Sequence, residues 1–338
     1  MAGLGFGDEE LLAERERMAA VKINVVGVGG CGNNAINNLY KLRLPAKLIA
    51  MNTDAPVLRK TAADKKVLLS GLTEIPRGAH GVPDVGAKAM ENSIDDAIAA
   101  IDKDVDAVIG VAGLGGGTGT GGLPVLFREL AVRRKDALRI AVVTLPFKEE
   151  GDERVKNAQM GLQELLECSD TVIPNANDVL AEKMGGVTMT YAFKVMDKKI
   201  ARVVEALVRL QSPETGPGII NVDFSNVKRI MRNARVSFAG VGEGRRVYDA
   251  FTKALKDDYA ETDLSTSHGM VLYYEGKEVY LDMSQIRSTI NYITNNFGTS
   301  TVFFGIRPTW ELAEVRASLI ACGVRSNYLD EFLGGEVP

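Results

Sequence analysis

Apolar runs alternate with helical stretches through the first half of the chain. Val21–Val26 reads as a buried strand and passes into Gly27–Gly32. A helical stretch is expected from Asn33 to Lys41, then a short apolar run, Lys47–Met51, ending at Asn52-Thr53-Asp54, and another at Val67–Leu69. Residues 71–86 hold four glycines and two prolines, which predicts a long loop. Helical spacing returns over 87–101. A strand over Asp106–Val111 runs into Gly113–Gly122, and the next helix is expected after Pro124, because proline suits a first turn. Arg139–Thr144 and Thr171–Ile173 read as strands around a helix at 154–167. Strands alternating with helices predict a parallel sheet covered on both faces. The glycine-rich turns follow strands, where open α/β sheets place ligands.

From Tyr191 to Leu210 the pattern is one long amphipathic helix. Phe193, Met196, Ile200, Val203, Val204 and Leu207 recur at steps of three and four. It ends before Pro213, and a helix so placed can join two domains. Beyond it, 227–256 reads as helical. Strand-like runs at Met270–Tyr274, Val302–Ile306 and Ala317–Ala321 surround a helix at 284–296. A short helix is expected over 8–20, with Asp8 as N-cap. The expected division is an N-terminal helical extension (1–20), a nucleotide-type domain (21–190), a central helix (191–212), a smaller α/β domain (213–330) and a short tail (331–338).

Composition narrows this only by exclusion. The net charge of −4 offers no basic field for nucleic acid. No apolar run reaches the roughly 20 residues of a membrane span, and the acidic start Gly7-Asp8-Glu9-Glu10 does not resemble a secretory signal. Cys31, Cys168 and Cys322 are widely spaced and, with two histidines, form no metal-ligand pattern. So sparse a cysteine set suits a reducing cytoplasm.

Two motifs carry chemistry. Gly27-Val28-Gly29-Gly30-Cys31-Gly32 fits G-x-G-x-x-G between strand and helix, where missing Cβ atoms let backbone N–H groups and a helix N-terminus approach phosphate. Asp54, 22 residues beyond Gly32, stands where a dinucleotide site places its ribose acid. On this motif alone, a Rossmann NAD(P) oxidoreductase competes with other nucleotide binders and with a plain tight turn. The second motif is Gly113–Gly122, in which seven of ten residues are glycine. Glycine costs about 0.5–1 kcal/mol in a regular element, so a plain turn is a poor explanation. Thr118 and Thr120 can bond phosphate oxygens, and a run of free amides can form an anion nest. No Gly-Lys-[Ser/Thr] occurs in it, so it is not a Walker A loop. A dinucleotide enzyme needs no second loop of this kind, whereas a polyphosphate held between two loops does.

Gly115–Gly121 reads Gly-Gly-Gly-Thr-Gly-Thr-Gly and resembles the signature shared by FtsZ and the tubulins. Gly27–Asn34, Asn52–Asp54, Thr144–Phe147 and Val222–Phe224 also resemble FtsZ segments, so the likeness runs from about residue 21 to about 323. It implies an α/β fold: a tubulin/FtsZ-like, Rossmann-type GTPase domain with a parallel sheet, a long central helix and a smaller α/β C-terminal domain. It implies GTP or GDP with Mg2+, hydrolysis, and head-to-tail filaments of a prokaryotic cell-division type, in the cytoplasm and at the division site. Gly29, Gly30, Cys31 and the segment Gly115, Gly116, Gly117, Thr118, Gly119, Thr120 would hold the phosphates. Glu150 would hold the ribose, with Arg154 near sugar and phosphates. Asn175 and Asn34 would contact guanine, Phe193 would stack on it, and Asp197 would accept from its N1 and N2. Phe193 and Asp197 are four apart and share a helix face, although an aromatic on such a stripe is otherwise a core residue.

The resemblance also implies that a loop following the central helix completes the next subunit's site. Asn221 and Asp223 fit that pattern. Asn226 departs from it, because the family has a second aspartate there. An amide orients water but is no base and carries no charge, which predicts slower hydrolysis, or an assembling relative that hardly hydrolyses. His80, in Gly78–Pro83, stands where the family has smaller or amide residues and is read as a solvated loop histidine. The adaptor-binding tail usual in FtsZ is not evident, which leaves attachment to a membrane adaptor in question.

Overall fold

The computed structural model describes residues 21–70, 78–211 and 219–335. The helix expected over 8–20 and the proline-glycine segment around 213–218 lie outside them. The first strand, β1 (Ile23–Val28), passes straight into α1 (Gly29–Tyr40). Then come β2 (Lys47–Asn52), α2 (Ala55–Lys60), β3 (Lys65–Leu68), α3 (Pro83–Asn92), α4 (Ile94–Ala100) and β4 (Ala107–Gly113). Next are α5 (Thr118–Arg133), β5 (Leu138–Leu145), α6 (Asp152–Cys168), β6 (Thr171–Ala176), α7 (Asn177–Met184) and the long α8 (Met189–Arg209). The remainder comprises α9 (Phe224–Met231), β7 (Arg235–Gly244), α10 (Val247–Lys256), β8 (Thr262–Asp263) and β9 (Gly269–Gly276). It closes with α11 (Met283–Phe297), β10 (Val302–Pro308), β11 (Val315–Cys322), β12 (Arg325–Ser326) and α12 (Asn327–Leu333).

Ten strands form one sheet in the order β10-β9-β11-β7-β6-β5-β4-β1-β2-β3. The six strands from β3 to β6 are all parallel, as the alternating pattern predicts. The C-terminal strands are mixed: β11 runs antiparallel to both β7 and β9, while β10 is parallel to β9. The two parts of the sheet meet at β6 and β7 through only two residue pairs, Thr171↔Arg235 and Val172↔Val236. One apolar layer lies under α8, whose Met196, Ile200, Val203, Val204 and Leu207 are buried among β1, β4 and β5 residues such as Val25, Ile109 and Val142. The helix crosses from one part of the sheet to the other. Its buried Lys199 donates to the Ala239 carbonyl (2.9 Å) and to Asp257 Oδ2 (2.6 Å). Burial lowers the Lys199 pKa, while the Asp257 carboxylate opposes that shift.

Four elements differ from the sequence expectation. α5 begins at Thr118, inside the glycine run, and Pro124 lies within it. Tight packing against α3 explains the glycines there: a Cβ on Gly121 would lie 1.9 Å from the Pro83 carbonyl oxygen, and one on Gly86 2.2 Å from that of Gly117. Residues 235–244, expected to be helical, form β7. Its glycines admit α10, since a Cβ on Gly240 or Gly242 would come within 2.1 Å of an α10 carbonyl oxygen. β6 continues through Pro174 to Ala176. A central strand rejects proline, but past Val172 β6 has no ladder partner in β7, so the missing N–H breaks no bond on that side. Finally, α12 lies at Asn327–Leu333, where no helix is expected, and crosses the boundary drawn at residue 330 between the smaller domain and the tail.

Candidate functional site

A cavity of about 480 Å³ opens where β1, β4 and β5 end. One end of it is backbone. α1 starts at Gly29 without an intervening turn, and Gly29 adopts φ +75°, a conformation that favours glycine. Gly27 and Gly32 serve packing instead: a Cβ on Gly27 would lie 2.3 Å from the Gly32 carbonyl oxygen, and one on Gly32 2.3 Å from that of Val111. By contrast, the Cβ positions of Gly30 and Gly116 meet nothing within 4 Å, and both residues line the cavity. Backbone N–H groups there face room that a Cβ would fill.

Buried polar side chains lock these loops together. Asn52 Nδ2 donates to Asn33 Oδ1 (2.8 Å), and Asn33 Nδ2 donates to the Gly27 carbonyl (3.0 Å). The Thr53 and Thr118 hydroxyls meet at 2.6 Å. Asn157 Nδ2 donates to the carbonyls of Gly81 (3.0 Å) and Gly115 (3.4 Å), tying the 78–82 segment to the second glycine loop. Sequence reasoning missed Asn33 and Asn157. A buried amide leaves no periodic trace, although Asn33 stands next to the quoted glycine motif.

The other end of the cavity is built from side chains. Asp197 on α8 faces Asn34 on α1, whose Nδ2 approaches Asp197 Oδ2 at 3.5 Å. Burial raises the Asp197 carboxyl above its usual range, and the Asn34 hydrogen bond opposes this. One turn before Asp197, Phe193 packs edge-on against Phe147, with ring centroids 5.3 Å apart and planes at 66°. Phe193 remains 38% exposed, more than a core aromatic would be. Glu150 accepts from the Phe147 N–H (3.0 Å) and pairs with Arg154. Cys31 also lines the cavity, but burial pushes its thiol up to about 11, so it is no nucleophile at neutral pH.

Of the residues expected to bind, Gly29, Gly30, Cys31, Asn34, Gly116, Gly117, Thr118 and Gly119 line the cavity, together with Glu150, Arg154, Phe193 and Asp197. Three others do not. Thr120 is buried, and its hydroxyl accepts from the Gly115 N–H (2.9 Å), so it clasps the loop from behind. Gly115 shapes that loop at φ +101° rather than lining the space. Asn175 sits inside β6, where its amide donates to the Ile173 carbonyl at 3.2 Å. Because β6 continues to Ala176, Asn177 at the start of α7 takes the position at the cavity wall. Its Oδ1 is buried and has no hydrogen-bond partner among the described residues. His80 is exposed and lies outside the lining, as the solvated reading has it.

Asn221, Asp223 and Asn226 lie beyond the far end of α8. Asp197 and Arg209 are 12 residues apart, about 18 Å of helix. The loop is stitched to β10 by two hydrogen bonds between Ile220 and Ile306, each 2.9 Å. Asp223 is the exposed N-cap of α9, and bonds from Ser225 hold its carboxyl below the usual range. None of these residues lines the cavity.

Comparison with known proteins decides between the two readings of the glycine loops. Residues 22–185 match the Tubulin/FtsZ family, GTPase domain. Over 331 residues the chain is 38% identical to cell division protein FtsZ 1 of Pyrococcus furiosus, covering 95% of this chain and 86% of that protein. This chain belongs to the FtsZ family. Cell division protein FtsZ 1 of Methanocaldococcus jannaschii is 37% identical, covering 94% of this chain and 87% of that protein. The solved FtsZ dimer of M. jannaschii superposes with a TM-score of 0.84 at 36% identity, over 95% of this chain and 93% of that one. CetZ2 of Haloferax volcanii shares the fold, with a TM-score of 0.78 at 22% identity over 93% of this chain and 97% of that one. Membership of the FtsZ family sets aside the oxidoreductase alternative. The geometry agrees: Asp54 does not line the cavity, and its Oδ1 accepts from the Val57 N–H (2.9 Å) as the N-cap of α2.

Proposed function

We propose that this FtsZ binds GTP in the cavity, assembles head to tail through it, and hydrolyses GTP at each junction during cell division. The observation that carries this reading is the pairing of an amide-lined end at Gly29–Gly30 and Gly116–Gly119 with a polar end at Asp197, Asn34 and Asn177. Guanine presents two donors, N1–H and the 2-amino group. The Asp197 carboxylate accepts both, and the unpartnered Asn177 Oδ1 is a further buried acceptor that needs a donor. Adenine lacks that donor pair, so the same residues select guanine.

The residues also fit a magnesium-nucleotide. Mg2+ takes one or two protein oxygens and the substrate phosphates rather than a carboxylate cage. Among the described residues no group of three or more His, Cys, Asp or Glu could hold a metal. Thr118 and Thr144 are the hydroxyls of the lining available to it. When bound, the ion neutralises charge on the phosphates.

Among the described residues, the carboxylates that line the cavity are Glu150, held by Arg154 and the Phe147 N–H, and Asp197 at the opposite end, and neither is free to act on the terminal phosphate. The exposed Asp223 supplies that group when it comes from a second copy, which explains why assembly and hydrolysis go together. Kept ionised by Ser225, Asp223 orients water by its charge rather than as a strong base. Phosphoryl transfer depends mainly on such positioning. Asn226 favours slow turnover, because it adds no second charge. GTP-dependent pelleting with phosphate release, run beside ATP, tests the reading. Assembly and release with GTP alone are expected; neither with GTP, or equal response to ATP, overturns it.

A further inference from the structure

Helix α12 is a strap between the two parts of the molecule. Its start is fixed to the C-terminal part, where β12 pairs with β8 at Arg325↔Asp263 and Ser326↔Thr262. Its body lies on the other part. Gln159 Nε2 on α6 donates to the Phe332 carbonyl (2.5 Å), and the Tyr328 hydroxyl donates to Asp178 Oδ2 (3.3 Å). The Tyr328 ring stacks on Phe332 at 5.8 Å and 16°, which fixes the direction of the hydroxyl.

Asp178 is the hub of this contact. It follows Asn177 directly at the start of α7, so the two carboxamide and carboxylate groups share one turn of backbone. Its second oxygen, Oδ1, accepts from the Lys148 N–H (3.1 Å), the first residue of the Lys148–Glu150 turn. That turn delivers Glu150 to the cavity, and Asn177, whose buried Oδ1 has no partner among the described residues, lines the cavity too. One carboxylate therefore joins the wall that holds Asn177, the turn that holds Glu150, and the C-terminal helix.

We propose that Tyr328 and Asp178 are positioning residues of the nucleotide site. Tyr328 holds Asp178, and Asp178 sets Asn177 against the guanine and Glu150 against the sugar. The inference rests on the guanine-nucleotide reading above and extends it to a helix of the C-terminal part that touches no ligand.

The test is Tyr328→Phe, which removes one hydroxyl and keeps the stacked ring, with Asp178→Ala as second variant. An alanine removes both acceptor oxygens, so neither the Tyr328 hydroxyl nor the Lys148 N–H keeps its partner. Equilibrium binding is measured with GTP, with inosine triphosphate, which lacks the 2-amino group, and with inorganic triphosphate. In Tyr328→Phe, GTP affinity should fall about fivefold, the size of one hydrogen bond. Inosine triphosphate should lose less, so that the GTP-to-inosine preference drops about threefold. Inorganic triphosphate binding and the melting temperature of the nucleotide-free protein should not change. The double variant should be no worse than Asp178→Ala alone. An unchanged preference in both variants, or an equal loss for all three ligands together with a lower melting temperature, overturns the proposal. Failure of the underlying reading looks different: the unmodified protein would then bind no guanine nucleotide.

Discussion

The two ends of the cavity are built from different material. At the phosphate end the chain presents backbone, and glycines either face the cavity (Gly30, Gly116) or let elements approach behind it (Gly27, Gly32, Gly86, Gly121). At the base end it presents side chains from α1, α7 and α8: Asn34, Asn177 and Asp197. Backbone amides bind any phosphate and cannot tell one nucleotide from another. Side chains with fixed donors and acceptors can. On the proposed reading, affinity and specificity reside in separate parts of one cavity, and substitutions should separate them.

The largest expected effects fall within the second glycine loop. Gly121→Ala puts a Cβ 1.9 Å from the Pro83 carbonyl oxygen, and backbone on both sides must move. Overpacking of this kind costs about 3 kcal/mol or more, read as a shift in the urea midpoint. Gly116→Ala lies five residues earlier, and its Cβ meets nothing within 4 Å. Its urea midpoint should match the unmodified protein, while GTP affinity falls at least about 100-fold as the methyl occupies phosphate space. Equal stability losses in the two variants would break the division between packing and cradle glycines.

Asp197→Ala tests the other end. GTP affinity should fall about 30-fold, about 2 kcal/mol for hydrogen bonds to a charged group. The informative quantity is the ratio to ATP, which should collapse toward one. A variant that loses GTP yet still rejects ATP would place base selection elsewhere.

Legibility in the sequence follows the same division. The phosphate loops are legible because glycine has few other reasons to cluster between strand and helix, and the parallel sheet is legible because strands and helices alternate. β7 was not, because Gly240 and Gly242 erase the apolar alternation that marks a strand, and they are present to admit α10. Just past β6, the asparagine that lines the cavity, Asn177, stands two residues beyond Asn175, the one expected from the sequence. Pro174 argues for a strand end at Ile173, but β6 runs on to Ala176 where β7 no longer pairs with it. α12 escaped notice because seven residues give too few turns for a period. Its caps were readable: Ser326 accepts from the Leu329 N–H, and Gly334 takes the left-handed position at the end.

A smaller effect is expected at the loop proposed to reach the phosphate end from a second copy. Asn226 lies in the first turn of α9, its N–H bonded to the Asp223 carbonyl (3.0 Å). Asn226→Asp adds a charge beside Asp223 at nearly constant volume. Phosphate release per assembled subunit should rise about threefold to tenfold, with GTP affinity unchanged. If the unmodified protein already turns over as fast as the variant, Asn226 does not limit hydrolysis.

The smallest effect is on pH, and it sharpens the contrast between the two ends. Burial raises the Asp197 carboxyl above its ordinary 3.8, and only the ionised form accepts both guanine donors. GTP affinity should therefore weaken as pH falls from neutrality toward the carboxylate range, earlier than for an exposed aspartate. Inorganic triphosphate, which has no guanine donors to offer Asp197, should not follow that curve. Stability of the empty protein moves the opposite way. A carboxyl whose folded pKa lies above its unfolded value stabilises the fold when neutral. That contribution is present below the unfolded pKa and is lost as pH rises through the folded one. The empty protein at neutral pH thus carries a buried charge that the nucleotide's donors relieve. Asp197→Asn should flatten both the affinity curve and the stability curve over the same window. If the stability slope of the empty protein survives in Asp197→Asn, another carboxyl raised by burial, such as Asp178, produces it, and Asp197 is not the strained group of the nucleotide-free protein.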